Sequence, residues 1–249
     1  MSNGHKVKIM YKFAIVDVKK LFTSRLFFLS IFLPIIFTTI LITSKAFSEE
    51  ELNFSKSVVK YFNFLYQYSI ILISVYVATM EISWKTMGVI LSSLKNRRLL
   101  IYTKLITIVV YSLFLSLFLY FSNVLVEWIE FGKVVNLHPS FFGGIWIKCS
   151  LFSIFILLFA LLIALFLWNK LFTLIIILVS FIFERNIVAI LQYFHWDSIN
   201  KIYELNPLSL IVKIYQYNDY DVGSLLIIIS SSLFLLLFTM IKIDNMDIK

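Results

Sequence analysis

An all-α membrane protein is the fold class this chain predicts, and three observations predict it. Of its 249 residues, 61% are apolar and only 14% are charged, whereas a soluble domain carries about a quarter charged residues. The apolar residues gather in runs of about 20, the length that crosses about 30 Å of hydrocarbon at 1.5 Å per residue. No stretch shows the alternation, in segments of about ten, that a membrane β-barrel requires. The pattern predicts six transmembrane helices in a single domain over 1–249. An N-terminal in-plane helix, a short helix on the inner side and dipping helices on the outer side accompany them.

Segment 6–24 is too polar to span. Val7, Met10, Ala14, Val18 and Leu21 fall on one side of a helical wheel, with Lys8, Lys12 and Lys19 well away from them. Ile9 and Phe13 lie outside the stripe. An amphipathic helix lying in the membrane plane fits this pattern, and a frayed basic terminus is the alternative. The first span, 26–43, contains Pro34, which a membrane helix tolerates when neighbours satisfy the freed carbonyl. Ser44-Lys45-Ala46 resembles a signal-peptide cleavage site. The apolar run before it, however, is too long for an ordinary signal core and begins only after Arg25.

The second and third spans are predicted at 61–80 and 105–126, and the fourth at 149–168. Cys149, the chain's one cysteine, excludes an internal disulfide and reads as packing. Only Asn169 and Lys170 separate the fourth span from the fifth, at 171–190, so the two form a tight hairpin. The clean apolar part of the fifth, 171–183, is about 20 Å long and falls short of the hydrocarbon thickness. Glu184 and Arg185 follow it. If the helix continues to 190, both charges lie within the outer leaflet, where a charge usually faces protein or a wet cavity. At least one is then expected to face the bundle or a dimer interface; the alternative ends the span at Phe183. Segment 186–221 is aromatic, with Tyr193, Phe194, His195, Trp196, Tyr203, Tyr215, Tyr217 and Tyr220, and Pro207 breaks it. Tyr and Trp favour the headgroup level. The segment reads either as re-entrant helices dipping into the outer leaflet or as a loop packed on its own bundle. The last span is predicted at 222–241.

Charge orients the array. With both termini cytoplasmic, the inner segments hold Lys6, Lys8, Lys12, Lys19, Lys20, Arg25, Lys85, Lys95, Arg97, Arg98, Lys104, Lys170, Lys242 and Lys249. These 14 cations face four acids, Asp17, Glu81, Asp244 and Asp247, while the outer segments hold eight cations and ten acids. That is the positive-inside asymmetry of a multi-pass cell-membrane protein. Basic clusters beside spans meet anionic lipid, so the net charge of +8 calls for membrane lipids as partners and for no nucleic acid.

The most telling stretch is the polar island from Glu81 to Lys104. Met87, Ile90, Leu91 and Leu94 recur at i, i+3, i+4 and i+7, one apolar stripe on a short helix at about 84–95. Trp84 stands at one end and Arg97 and Arg98 at the other. Such a helix between two spans can dock a partner, with Trp84 as a buried anchor and the arginines gripping carboxylates. It can equally lie passively on the headgroups.

Catalytic signatures are missing. The three histidines, His5, His138 and His195, are far apart, and six glycines leave no material for a phosphate loop. The chain reads as no enzyme, with no catalytic, cofactor-binding or metal-binding residues. Any energised work would draw on another chain.

The order of these features resembles the small permease subunits of type-2 ABC exporters. In that family the second span ends in an acid, followed by a Gly-Thr-like turn, Leu-Leu, a Ser-Arg-like step and a Lys opening the third span. The matching residues here are Glu81, Lys85-Thr86, Ile90-Leu91, Asn96-Arg97 and Lys104, with Lys85 in place of the usual glycine. The resemblance covers nearly the whole chain as an architecture, and its motif spans about 25 residues. It implies that two permeases pair, as a homodimer or heterodimer. Two copies of a cytoplasmic ABC ATPase, which bind ATP and Mg, would dock on them through the helix at 84–95. The implied coupling residues are Glu81, Trp84, Met87, Ile90, Leu91, Leu94, Arg97 and Arg98. Glu184, Arg185, Tyr193, Phe194 and Trp196 would line the translocation path or its outer gate. The Lys/Ile/Phe-rich composition is similar to Gram-positive permeases that expel antimicrobial peptides, such as lantibiotic-immunity and phenol-soluble modulin exporters. Export of an amphipathic peptide or hydrophobic compound is therefore the implied activity. A membrane immunity or scaffold protein that binds a peptide toxin without transporting it is the alternative, and the stretch from Glu81 to Lys104 discriminates the two.

Overall fold

The computed structural model describes residues 3–45, 54–83, 97–131, 139–194, 205–217 and 221–246. Among these it is all-helical, with eight helices. They are α1 (Asn3–Phe22), α2 (Arg25–Lys45), α3 (Phe54–Ser83), α4 (Arg98–Phe131), α5 (Pro139–Leu167), α6 (Lys170–Tyr193), α7 (Pro207–Tyr217) and α8 (Val222–Asp244). Each of the six spans expected from the sequence falls on one of α2, α3, α4, α5, α6 and α8. Among the described residues, four helices are long and apolar enough to cross a membrane: Asn63–Ile82, Arg98–Leu125, Ser140–Leu167 and Val222–Asp244. Tyr11–Phe22 and Arg25–Phe37 also pass together as one broken span bent by 52°.

Short side-chain caps set the helix boundaries. Ser24 ends α1 and starts α2: its hydroxyl donates to the Leu21 carbonyl at 2.7 Å and accepts from the Phe27 amide at 3.2 Å. Asn169 caps α6 by accepting from the amides of Leu171 at 2.9 Å and Phe172 at 3.3 Å. Asn206 accepts from the Leu208 amide at 3.1 Å, and Pro207 follows it at the first helical position, where its missing N–H costs nothing. Asp221 caps α8 through the Ser224 amide at 2.9 Å; the Ser224 hydroxyl and then its amide hold the carboxyl below the usual Asp range.

Two expectations need correcting. The helix that carries the fourth expected span begins at Pro139, ahead of Cys149, so Cys149 lies inside α5 and not at its start. Phe141, Phe142 and Trp146 are apolar enough to continue the helix upstream. The hairpin link consists of Trp168 and Asn169, with Lys170 already in α6. Trp168 turns the chain with a φ of 50°, a left-handed conformation that ends a helix abruptly.

At the centre α3, α4 and α5 pack against one another, α2 covers α3, α1 lies on α4, and α8 leans on α5. The core is built from stripes at helical spacing: Tyr66, Ile70, Ile73 and Val77 on α3, Ile101, Ile108, Tyr111 and Leu115 on α4, and Phe152, Ile156 and Ala160 on α5. Helices α4 and α5 run antiparallel, since Ser112 meets Ser150 at 2.9 Å and Tyr120 meets Phe142 at 5.8 Å between ring centres. The outer faces of α2 and α8 are apolar and exposed, with Phe28, Phe32 and Phe37 on one and Leu226, Phe234 and Phe238 on the other. Apolar faces this large are surfaces for lipid or protein, not for water.

Helix α1 packs differently from its sequence reading. Ala14 and Leu21 of the apolar stripe are buried, and α1 packs chiefly on α4, while Tyr11, Ile15 and Val16 stand exposed beside Lys12 and Lys19. The stripe faces protein because Asp17 sits on it and finds a partner there. Val7 and Met10 side chains lie outside the described residues.

Segment 186–221 divides. Its first residues extend α6 to Tyr193. Helix α7 is seated in the bundle against α5, α8 and α3, with Leu210, Ile211, Ile214 and Tyr215 buried. Tyr215 packs against Phe152, well inside α5, with ring centres 4.9 Å apart and planes tilted by 33°.

Candidate functional site: an ion-paired base

Three charges that the sequence scatters meet in the interior. Lys104 Nζ lies 3.0 Å from Asp17 Oδ2 and in direct contact with Glu81 Oε1. Their side chains are 0%, 7% and 4% exposed. The helical periods put them there. Lys104 continues the inward stripe Ile101, Ile108, Tyr111 of α4; Asp17 lies between Ala14 and Leu21 on α1; Glu81 follows Val77 and Met80 on α3. A lone charge in such a place is expensive, so each requires the others. Glu81, the acid expected to end the second span, is buried. Thr103 and Thr107 flank Lys104 and satisfy their own hydroxyls on the carbonyls of Leu100 and Thr103.

A second cluster lies at the start of α4. Arg98 directs Nη2 at 2.6 Å and Nε at 2.7 Å to Asp244 Oδ2, at the end of α8. Arg97 Nη1 donates to the carbonyl of Met246 at 2.6 Å and to that of Asp244 at 3.4 Å. Unlike the triad, this pair is open, with side chains 52% and 34% exposed.

The two clusters bracket segment 84–96. Helix α3 enters it just past Glu81, and α4 leaves it at Arg98. Trp84, Met87, Ile90, Leu91 and Leu94 lie outside the described residues. Of the coupling residues implied by the sequence, Glu81, Arg97 and Arg98 are placed, and all three engage other parts of the chain. Asp17 and Asp244 belong to the same base and were missed as site residues. Both had a signal. Asp17 interrupts an apolar stripe, and Asp244 is an acid at the end of a span on the side where cations are in excess.

The outer-gate candidates sit elsewhere. Helix α6 leaves the base end, where Lys170 lies 5.0 Å over the Tyr76 ring, and runs away from it. Glu184 is 14 residues on, roughly 20 Å along the helix. It is 6% exposed, while Ile182 and Phe183 point outward at 52% and 60%. The helix thus continues past Phe183 with Glu184 turned inward. Tyr193 and Phe194 are exposed and meet edge to face at 5.3 Å. The side chains of Arg185 and Trp196 lie outside the described residues.

Among the described residues no group of three His, Cys, Asp or Glu is placed to hold a metal. No protein-family model matches the chain, and no characterised protein matches it. Fold and base together define the class: among the described residues, an all-helical protein with at least four helices long and apolar enough to span a membrane, three of its helices tied by buried charge at one end.

Proposed function

We propose that this chain is the transmembrane subunit of an ATP-driven exporter of the type-2 ABC kind, acting on an amphipathic peptide or hydrophobic compound. It sits in the cell membrane with six spans and both termini cytoplasmic. It pairs with a second permease, and two copies of a separate ATPase, holding ATP and Mg, dock on the pair. The observation that carries this reading is the buried Asp17–Lys104–Glu81 triad. A docking helix transmits motion only if its base does not yield, and the triad locks α1, α3 and α4 together close to the end of α3 and the start of α4, the two helices that flank segment 84–96 in sequence. A passive interfacial helix needs no such base. Glu184, turned inward on α6, and the exposed Tyr193 and Phe194 supply polar and aromatic contacts for cargo at the far end. Helix α7, seated in the bundle, is the re-entrant element that caps the route.

Substitution in segment 84–96 tests the reading. Leu91→Asp, or Leu91→Ala with Trp84→Ala, should abolish co-purification of the ATPase while membrane insertion is normal. Membrane binding depends on total apolarity and charge, whereas docking depends on which residue bears them. Equal recovery of the ATPase with every variant would remove the coupling role and leave the non-transporting immunity or scaffold protein in its place.

A further inference from the structure

The base contains a carboxylate seat that the chain fills from within. From residue 84 to 98 the sequence holds Lys85, Lys95, Arg97 and Arg98 and no acid. The acid that Arg98 grips is Asp244, 146 residues away on another helix. Its Oδ2 accepts from Nε at 2.7 Å and lies 2.6 Å from Nη2.

This occupant is a poor electrostatic match. Asp244 is the last residue of α8, and an anion there is repelled by the helix's own C-terminal partial charge. Arg98 is the first residue of α4, where a cation is equally disfavoured. Both groups are open to solvent, so their attraction is screened and worth little. Arg97 donates through Nη1 to the carbonyls of Asp244 and Met246, neutral acceptors. A carboxylate from another protein, free of the α8 dipole, would be the better ligand for both arginines.

We infer that Asp244 is an internal competitor: it holds Arg98 until an acidic protein surface displaces it. The partner is thereby specified as presenting carboxylates to the start of α4, beside segment 84–96. This rests on the docking reading above and fails separately from it, because Leu91→Asp reports on docking and Asp244→Asn reports on competition.

The probe is a fluorescein-labelled hexaglutamate peptide, titrated by anisotropy at low salt onto the full chain in detergent micelles. Asp244→Asn should bind it about two- to fivefold more tightly than the native chain, the range set by the modest strength of an exposed ion pair. Asp247→Asn removes the same charge and should not reproduce the gain. Arg98→Gln with Asp244→Asn should lose it. Unchanged or weaker binding in Asp244→Asn would overturn the inference, the latter by showing that Asp244 positions Arg98. An equal gain in Asp247→Asn would overturn it too, by reducing the effect to net charge. Melting curves accompany each variant, and a variant that does not fold is replaced by Asp244→Ser under the same criteria.

Discussion

The triad at Lys104 and the clamp at Arg98 lie within six residues of each other on one helix. Both pair a cation of α4 with carboxylates from distant helices, yet they differ in kind. Lys104 is sealed by Asp17 and Glu81 with no side chain more than 7% exposed. Arg98 and Asp244 stand half in solvent at 52% and 34%. Burial decides what each can do. A buried pair resists being broken, because the survivor keeps its desolvation cost; an exposed pair exchanges freely, because water and salt replace the lost partner. The first suits a fixed base and the second a contact that another protein can take over.

The largest test of that contrast breaks the triad. Lys104→Ala leaves Asp17 facing Glu81 in the interior and should cost on the order of 3–5 kcal/mol, read as a marked fall in melting temperature in detergent. Replacing all three, Asp17→Leu, Lys104→Met and Glu81→Leu, should restore much of the lost stability, since an apolar cluster of similar volume is often as stable as a buried ion pair. If the triple variant is as unstable as Lys104→Ala, the charges are stabilising in themselves and the contrast with Arg98 is drawn wrongly.

The next test lies in the core. Phe152→Ala removes a fully buried ring that touches both Tyr215 and Phe181. Its expected cost is about 3–5 kcal/mol if the site cannot collapse, and less if α7 settles inward. Protease sensitivity near α7 should rise with it. A variant that melts like the native chain would show that α7 does not depend on this seat.

Arg98→Gln should barely move the melting temperature, as an exposed pair predicts. A fall comparable with that of Lys104→Ala would erase the difference between the two clusters. The smallest effect is expected at Asp221. Its carboxylate caps α8, and the Ser224 hydroxyl and amide lower its pKa. A lowered folded-state pKa contributes stability that is full above the unfolded value near 3.9 and is lost as pH falls through the folded one. Asp221→Ala should therefore melt slightly lower than the native chain at neutral pH, with the gap closing below about pH 4.

Much of the helical layout was legible. Runs of about 20 apolar residues place helices whatever their neighbours, because backbone groups in hydrocarbon must bond within their own segment. Periodicity marked Ala14 and Leu21 as one face. Boundaries were less legible. Pro139 begins α5 because Phe141, Phe142 and Trp146 suit a helix as well as a loop, and only packing against Tyr120 decides between them. The motif from Glu81 to Lys104 named two members of the triad without pairing them. Asp17 stood 87 residues from its partner, a separation over which sequence carries no distance.

The sequence by itself determined composition-driven properties: the helical class, the sites of the apolar helices and the excess of cations at one set of their ends. Each follows from local hydropathy and charge, which need no partner. Tertiary structure alone decided which charges meet. Whether Lys104 is buried by Asp17 and Glu81, whether Arg98 finds Asp244, and whether the α1 stripe faces lipid or protein depend on how distant helices cross. That is fixed by the summed packing of α1, α3, α4 and α8, and no single segment encodes it.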